Sequence, residues 1–155
     1  MSFYAAEPLI LQRIRDQVPS LATVASASRL AGADDPAAFC VDPNDETQHG
    51  ACFVIPMEGE VTGSGGEGVY VRFLQGWLLL FIEAHEQDPA DEQTTASRAG
   101  AAMLQAVEAL AGMELAPSFG GRLTFSGYGA PYYEAGYGEF PVYFRQANQI
   151  LGVEA

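Results

Sequence analysis

The sequence predicts an α+β fold, a single domain over residues 1–155 with a mainly antiparallel sheet of four to five strands flanked by two helices. Three observations carry that prediction. First, Trp77 to Ile82 reads WLLLFI, an apolar run without a polar break. Trp77, Leu79 and Phe81 fall on one face of such a strand and Leu78, Leu80 and Ile82 on the other, so it belongs in a sheet interior, covered on both sides. Second, residues 88–112 carry the marks of a long amphipathic helix. Asp88 suits the N-cap, Pro89 the first helical position, and Asp91 and Glu92 the positive end of the helix dipole. Ala96, Ala99, Met103, Val107 and Leu110 then recur at helical spacing, and Gly112 is a natural C-terminal stop. Third, several shorter segments alternate apolar and polar residues at the period of a strand.

In chain order, residues 4–18 form a first helix with Ile10, Ile14 and Val18 as its stripe and Leu11 beside it, ended by Pro19. Residues 20–30 read as a short strand and a turn. Residues 31–50 hold two Asp- and Pro-containing turns and read as a loop or a flap over the sheet edge. Ala51 to Val61 is a strand with Phe53, Ile55 and Met57 on one face. Pro56 lacks a donor, which places it at an edge or a bulge. Thr62 to Gly68, TGSGGEG, reads as a flexible hairpin tip. Val69 to Leu74 resumes alternation, and Gly76 marks a bulge within one long strand rather than a Gln-Gly hairpin. The stripe of the long helix is mostly small, and Gly100, which weakens a helix, fits a close crossing. After it come a turn over residues 115–121, a strand at 122–128, a Tyr-rich loop at 129–138 and a last strand at 139–146 with Phe140, Val142 and Phe144 together. The tail reads as a frayed turn.

Composition narrows the function classes. The 155 residues include 20 acidic and 7 basic ones, a formal net charge of −13, and every basic residue is Arg. That balance argues against a tight nucleic-acid groove and against an anionic membrane surface. Hydrophobic content of 48% is enough for a packed core. No apolar run approaches the roughly 20 residues that span a bilayer. The N-terminal stretch MSFYAAEPLILQRIRD lacks the pattern of a signal peptide, and two cysteines make no disulfide framework. The expectation is a protein of cytoplasmic origin.

No catalytic constellation stands out. His85, in EAHE, shares a strand face with Glu83, but two ligands rarely make a selective metal site, and a solvated strand end is the simpler reading. Cys40, His49 and Cys52 match no common zinc spacing. The glycine-rich 63–68 stretch has no GK[ST] ending and no following helix, so it is a mobile hairpin tip rather than a phosphate cradle. There is no GxSxG. The expectation is therefore no enzyme, no cofactor and no metal. The competing class is a small acidic enzyme or ligand-binding domain with a pocket near His85. Tyr128, Tyr132, Tyr133 and Tyr137, spaced by glycines, have the composition of a contact surface, against the alternative of rings folded back on the sheet.

The order of elements resembles the phage tail terminator proteins, the group that includes the minor tail protein U of lambda-like phages. The likeness runs through the helix LILQRIRDQVPSL, the strand CFVIPMEGEV, the core strand GWLLLFIEAHEQD, the helix ADEQTTASRAGAAMLQAVEALAG and the closing strand EFPVYFRQA. Segment 31–50 and the Tyr-rich loop have no evident counterpart. The resemblance implies a structural virion protein, assembled in the host cytoplasm into the virion tail. It implies a homo-oligomeric ring, typically a hexamer, that caps the tail tube, ends its polymerisation and presents a docking surface to the head–neck connector. Another neck or tail-completion protein would share most of these features. The partners are then other copies of the chain, the tail tube protein and the connector, with DNA passing through the lumen unbound and no membrane. A head-to-tail ring needs two different patches. The candidates are the 59–68 hairpin with Glu60, Ser64 and Glu67, the long-helix surface near Arg98, and Tyr128, Tyr132, Tyr133 and Tyr137.

Overall fold

The computed structural model describes residues 2–66, 70–85, 94–115 and 121–152, with residues 147–152 described as backbone only. Its helices are α1 (Glu7–Gln17), the single turn α2 (Ala27–Leu30) and α3 (Thr95–Leu110), with a 3-10 turn at Pro36–Cys40. Its strands are β1 (Thr23–Ser26), β2 (Val41–Asp42), β3 (Asp45–His49), β4 (Ala51–Gly65), β5 (Tyr70–Ala84), β6 (Arg122–Tyr128), β7 (Tyr132–Glu134) and β8 (Tyr137–Gly152). Six of these form one sheet in the order β1-β4-β5-β8-β6, with β7 paired to β8; β2 and β3 form a separate hairpin. Only β1 and β4 pair in parallel in the main sheet. The α+β architecture with a mainly antiparallel sheet is as expected, with one strand and one helical turn more.

β5 is the central strand, lying between β4 and β8. Trp77, Leu79 and Phe81 are buried on the face that α1 and α3 cover, against Ile10, Ile14, Ala99, Ala106 and Leu110. The indole Nε1 of Trp77 donates to Gln146 Oε1 at 3.3 Å, which satisfies the one polar atom of a ring that is otherwise core. The opposite face is covered only in part. The 31–50 segment folds over one end of it, where Cys40, Phe53, Ile82, Ala25 and Ala51 form a second, smaller core. Leu78 and Leu80 are half-buried there, so the expectation of full cover on both faces holds for Ile82 alone among the three.

Helix α1 meets the expectation closely. Ile10 and Ile14 face the core, Val18 is its C-cap, and Pro8 sits in the first turn, where a missing donor costs nothing. It begins at Glu7 rather than residue 4. Helix α3 begins later than expected. Its N-cap is Thr94, whose hydroxyl accepts from the Ser97 amide at 3.0 Å. Asp88, Pro89, Asp91 and Glu92 lie outside the described residues. The buried stripe is Thr95, Ala99, Ala102, Ala106 and Leu110; Met103 and Val107 are half-buried and Ala96 is exposed. Alanine on both sides of the helix gives little contrast, so the stripe runs about one position away from the predicted line. Gly100 is exposed, with nothing within 4 Å of where a Cβ would stand, so it marks no close crossing. Gly112, at φ +79°, ends the helix as expected.

Three other expectations change. The arms of the β4–β5 hairpin reach further than predicted, pairing Gly63 with Arg72, Ser64 with Val71 and Gly65 with Tyr70. The stretch 62–65 is therefore strand, because β5 supplies partners that a Gly-rich sequence does not advertise. The tail is strand as well, with β8 running to Gly152 beside Tyr70. The Tyr-rich loop contains β7, folded back on β8 through Tyr132↔Glu139 and Glu134↔Tyr137. The Gly76 reading holds in its main point, since β5 is one strand. The extra residue lies across from it, where Met57 and Glu58 of β4 together oppose Gly76.

Candidate interaction surfaces

The most unusual chemistry lies at the end of β5. Glu83 continues the buried face of Phe81 and is only 2% exposed. His49 Nδ1 lies 3.1 Å from its Oε2, and Arg98 Nε lies 3.5 Å from its Oε1. Arg98 Nη2 donates to the Ala84 carbonyl at 3.0 Å, while its buried Nε finds no hydrogen-bond partner. Gly50 makes room for the carboxylate: at φ +78°, a Cβ there would stand 2.6 Å from Glu83 Oε2. Burial pushes the Glu83 pKa upward, and the His49 contact and the Arg98 charge pull it back. This node ties β5, α3 and the 31–50 flap together. It was legible only as a carboxylate two residues beyond Phe81, on the same strand face.

Of the other reactive side chains, Cys40 lies near enough to feel the Glu83 charge, while His85 and Cys52 have other neighbours. His85 Nε2 donates to the Glu134 carbonyl at 2.9 Å, and the ring stacks on Tyr133. It is a half-buried bracket between β5 and the β7 hairpin rather than a solvated end. Cys40 lies in the smaller core, with its thiol 3.3 Å from the Ile82 carbonyl, and burial raises its pKa to about 12. Cys52 lies in the main core, on the other face of the sheet, and burial raises its pKa too. Cys40, His49 and Cys52 are thus not brought together. Among the described residues no three His, Cys, Asp or Glu side chains cluster as metal ligands, and no helix is long and apolar enough to cross a membrane.

The surface is more informative than the interior. Past Val54, the last residue paired with β1, β4 runs on with no strand on its outer side among the described residues. Glu60 and Ser64 are exposed on this arm, and Val61 is 66% exposed; Glu67 lies outside the described residues. On the opposite edge, a groove of about 360 Å³ runs between α3 and β6, lined by Met103, Leu104, Val107, Phe125, Tyr128 and Val142. Leu104 is 59% and Tyr128 73% exposed. Tyr132 stands out from the β7 hairpin, Tyr133 is exposed on one side but folds its ring back on Phe140 and His85, and Tyr137 is half-buried beside the smaller core. Arg98, by contrast, is mostly spent on Glu83 and the Ala84 carbonyl. The apolar groove is therefore lined by no carboxylate, imidazole or thiol, and at the titratable node Glu83 is buried while His49 is partly exposed.

A sheet with a projecting arm and large apolar groups left in the open defines a protein that acts through its surfaces. Comparison with known families agrees. The chain belongs to the phage tail terminator protein family, whose family model matches residues 1–151. No curated protein sequence matches it. The family is one of structural virion proteins, so this chain is a component of the phage tail with a role in its completion.

Proposed function

We propose that the protein caps the phage tail tube as a ring, stops further addition of tube subunits and offers its far side to the head–neck connector. The single observation that carries this reading is the family match across residues 1–151. The open arm of β4 and β5 and the apolar groove beside α3 support it, because a ring needs two unlike patches on every copy. Six copies is the expected number. Assembly in the host cytoplasm precedes joining to the head. The exposed arm with Glu60 and Ser64, the α3 surface near Arg98, and Tyr128, Tyr132, Tyr133 and Tyr137 are the surfaces assigned to neighbours and to the tube. A net charge of −13 per copy would keep DNA from sticking as it passes the lumen.

The test is tail length in a phage that lacks this protein. Loss of the cap predicts tubes of irregular, excessive length that do not join heads. Tubes of normal, uniform length would contradict the reading.

A further inference from the structure

Among the described residues, the β4 arm past Val54 and the β6 strand past Leu123 are unpaired on their outer sides, and they are complementary in several respects. Strand β4 carries Glu58 and Glu60 and no basic residue. Strand β6 carries Arg122, which is spent on Glu114 at 2.6 Å, and no acidic residue; the positive charge left on this side is Arg145 of β8, opposite Thr124. The faces match as well. Glu60 lies opposite Leu74, away from the helices, and Arg122 and Arg145 lie on that same side. Val61 lies opposite Phe73 on the helix side, as do Phe125 and Tyr128 across the sheet. An acidic edge with an apolar helix side thus answers a basic edge with an apolar helix side.

The backbone adds a direction. Following the antiparallel pairings from β4 through β5 and β8 to β6, β4 and β6 run antiparallel within one chain. Rotation about a ring axis leaves the strand component along that axis unchanged, so with strands lying along the axis β6 of one copy beside β4 of the next makes an antiparallel junction. The start of β6 is already covered, by the Leu123 amide to Met113 and the Gly112 amide to Leu123. Residues 124–128 are left open among the described residues. Unpaired edge stretches are templates for another chain; on the β4 arm they lie on either side of the bulges at 57–58 and 62.

We propose that the occupant of the β4 edge, residues 55–65, is the β6 edge of a second copy of this chain, joined head to tail. This rests on the ring reading and names its subunit interface. The α3 groove completes the junction by taking up Val61, and Glu60, alongside Thr124, meets Arg145 on the other side.

The experiment pairs native mass with cross-linking. A Thr62→Cys/Thr124→Cys protein, whose added cysteines are diagonal neighbours when Glu60 lies beside Thr124, is treated with a short bismaleimide, with the two variants carrying one added cysteine and the unaltered chain as controls. A ladder of linked subunits from the double variant alone is the expected result. Rings without a ladder overturn the interface and leave the ring reading standing. Dimers from a variant with one added cysteine indicate a two-fold contact and overturn it as well. Linking that appears only as a conjugate to added tube protein assigns the edge to that partner and likewise overturns it. Unaltered chain that forms no ring, alone or with tube protein, overturns both readings. A charge exchange guards against misfolding. Glu60→Arg should raise the concentration needed for rings at least about tenfold, through like-charge contact, and adding Arg145→Glu should restore it. No restoration from the second change would count against the pairing.

Discussion

The two ends of β4 and β5 are built for different tasks. At one end, Ala51 to Val54 and Trp77 to Ile82 lie among α1, α3 and the flap, and most of their side chains are buried. At the other end, residues 57–65 of β4 are mostly exposed, and the hydrogen-bonded ladder continues past bulges at 57–58 and 62. The pairing from Ala51 to Pro56 runs without a shift, and both bulges fall in the open half. The side chains change as well, from ACFV to GEVTGSG. Burial of apolar side chains fixes the fold at the first end, while the second end is held chiefly by its ladder and left open to a partner. Substitutions should therefore separate stability from assembly according to the end they fall in.

The largest expected effect is in the closed half. Trp77→Ala removes a fully buried ring and its bond to Gln146 and should cost about 3–5 kcal/mol in chemical denaturation. A cost below about 1 kcal/mol would mean that the core is looser than described.

Next comes the buried carboxylate. Glu83→Ala leaves Arg98 and His49 without their shared partner and should cost about 3 kcal/mol. The pH dependence has a definite sign. Burial raises the folded pKa of Glu83 above 4.5, so the folded chain binds that proton more tightly than the unfolded chain. The contribution of this group is complete below the unfolded value and is lost as pH rises through the folded one. Denaturation midpoints of Glu83→Gln, measured across that window, should lack this component of the decline. An unchanged difference between the two proteins at every pH would show that Glu83 does not titrate there.

A smaller loss is expected at Gly50. Gly50→Ala combines a positive φ with a Cβ driven against Glu83, which should cost about 1–3 kcal/mol by thermal or chemical unfolding. The smallest stability effect belongs to the open half. Val61→Ser on the exposed arm should change the unfolding free energy by less than about 0.5 kcal/mol while weakening ring formation in native mass spectra. A stability loss as large as that of Glu83→Ala would erase the distinction between the two ends.

The closed half was the legible half. WLLLFI, the Ile10–Ile14–Val18 stripe, Phe140–Val142–Phe144 and the Gly112 stop each carry a strong local signal, and each lies where it was read. The open half was obscured because its strands are specified by partners rather than by pattern. Residues 62–65 look like a loop until Tyr70 to Arg72 pair with them, and the tail looks frayed until it lies on the same strand. The flap was unreadable for a related reason: Cys40 and Phe39 reach their core only because β4 and β5 bring Phe53 and Ile82 beneath them. The line of α3 shifted because alanines on several sides give a helix no clear inner face. Glu83 was visible as a carboxylate at the end of an apolar strand, but its partners come from His49 and Arg98, which are distant in sequence.

The most direct test of the ring account is the native mass of the purified chain across a wide concentration range, alone and with tail tube protein, together with images of the largest species. The account predicts a closed ring with a central hole, its mass an integer multiple of the single chain. A strict monomer under every one of these conditions would contradict it.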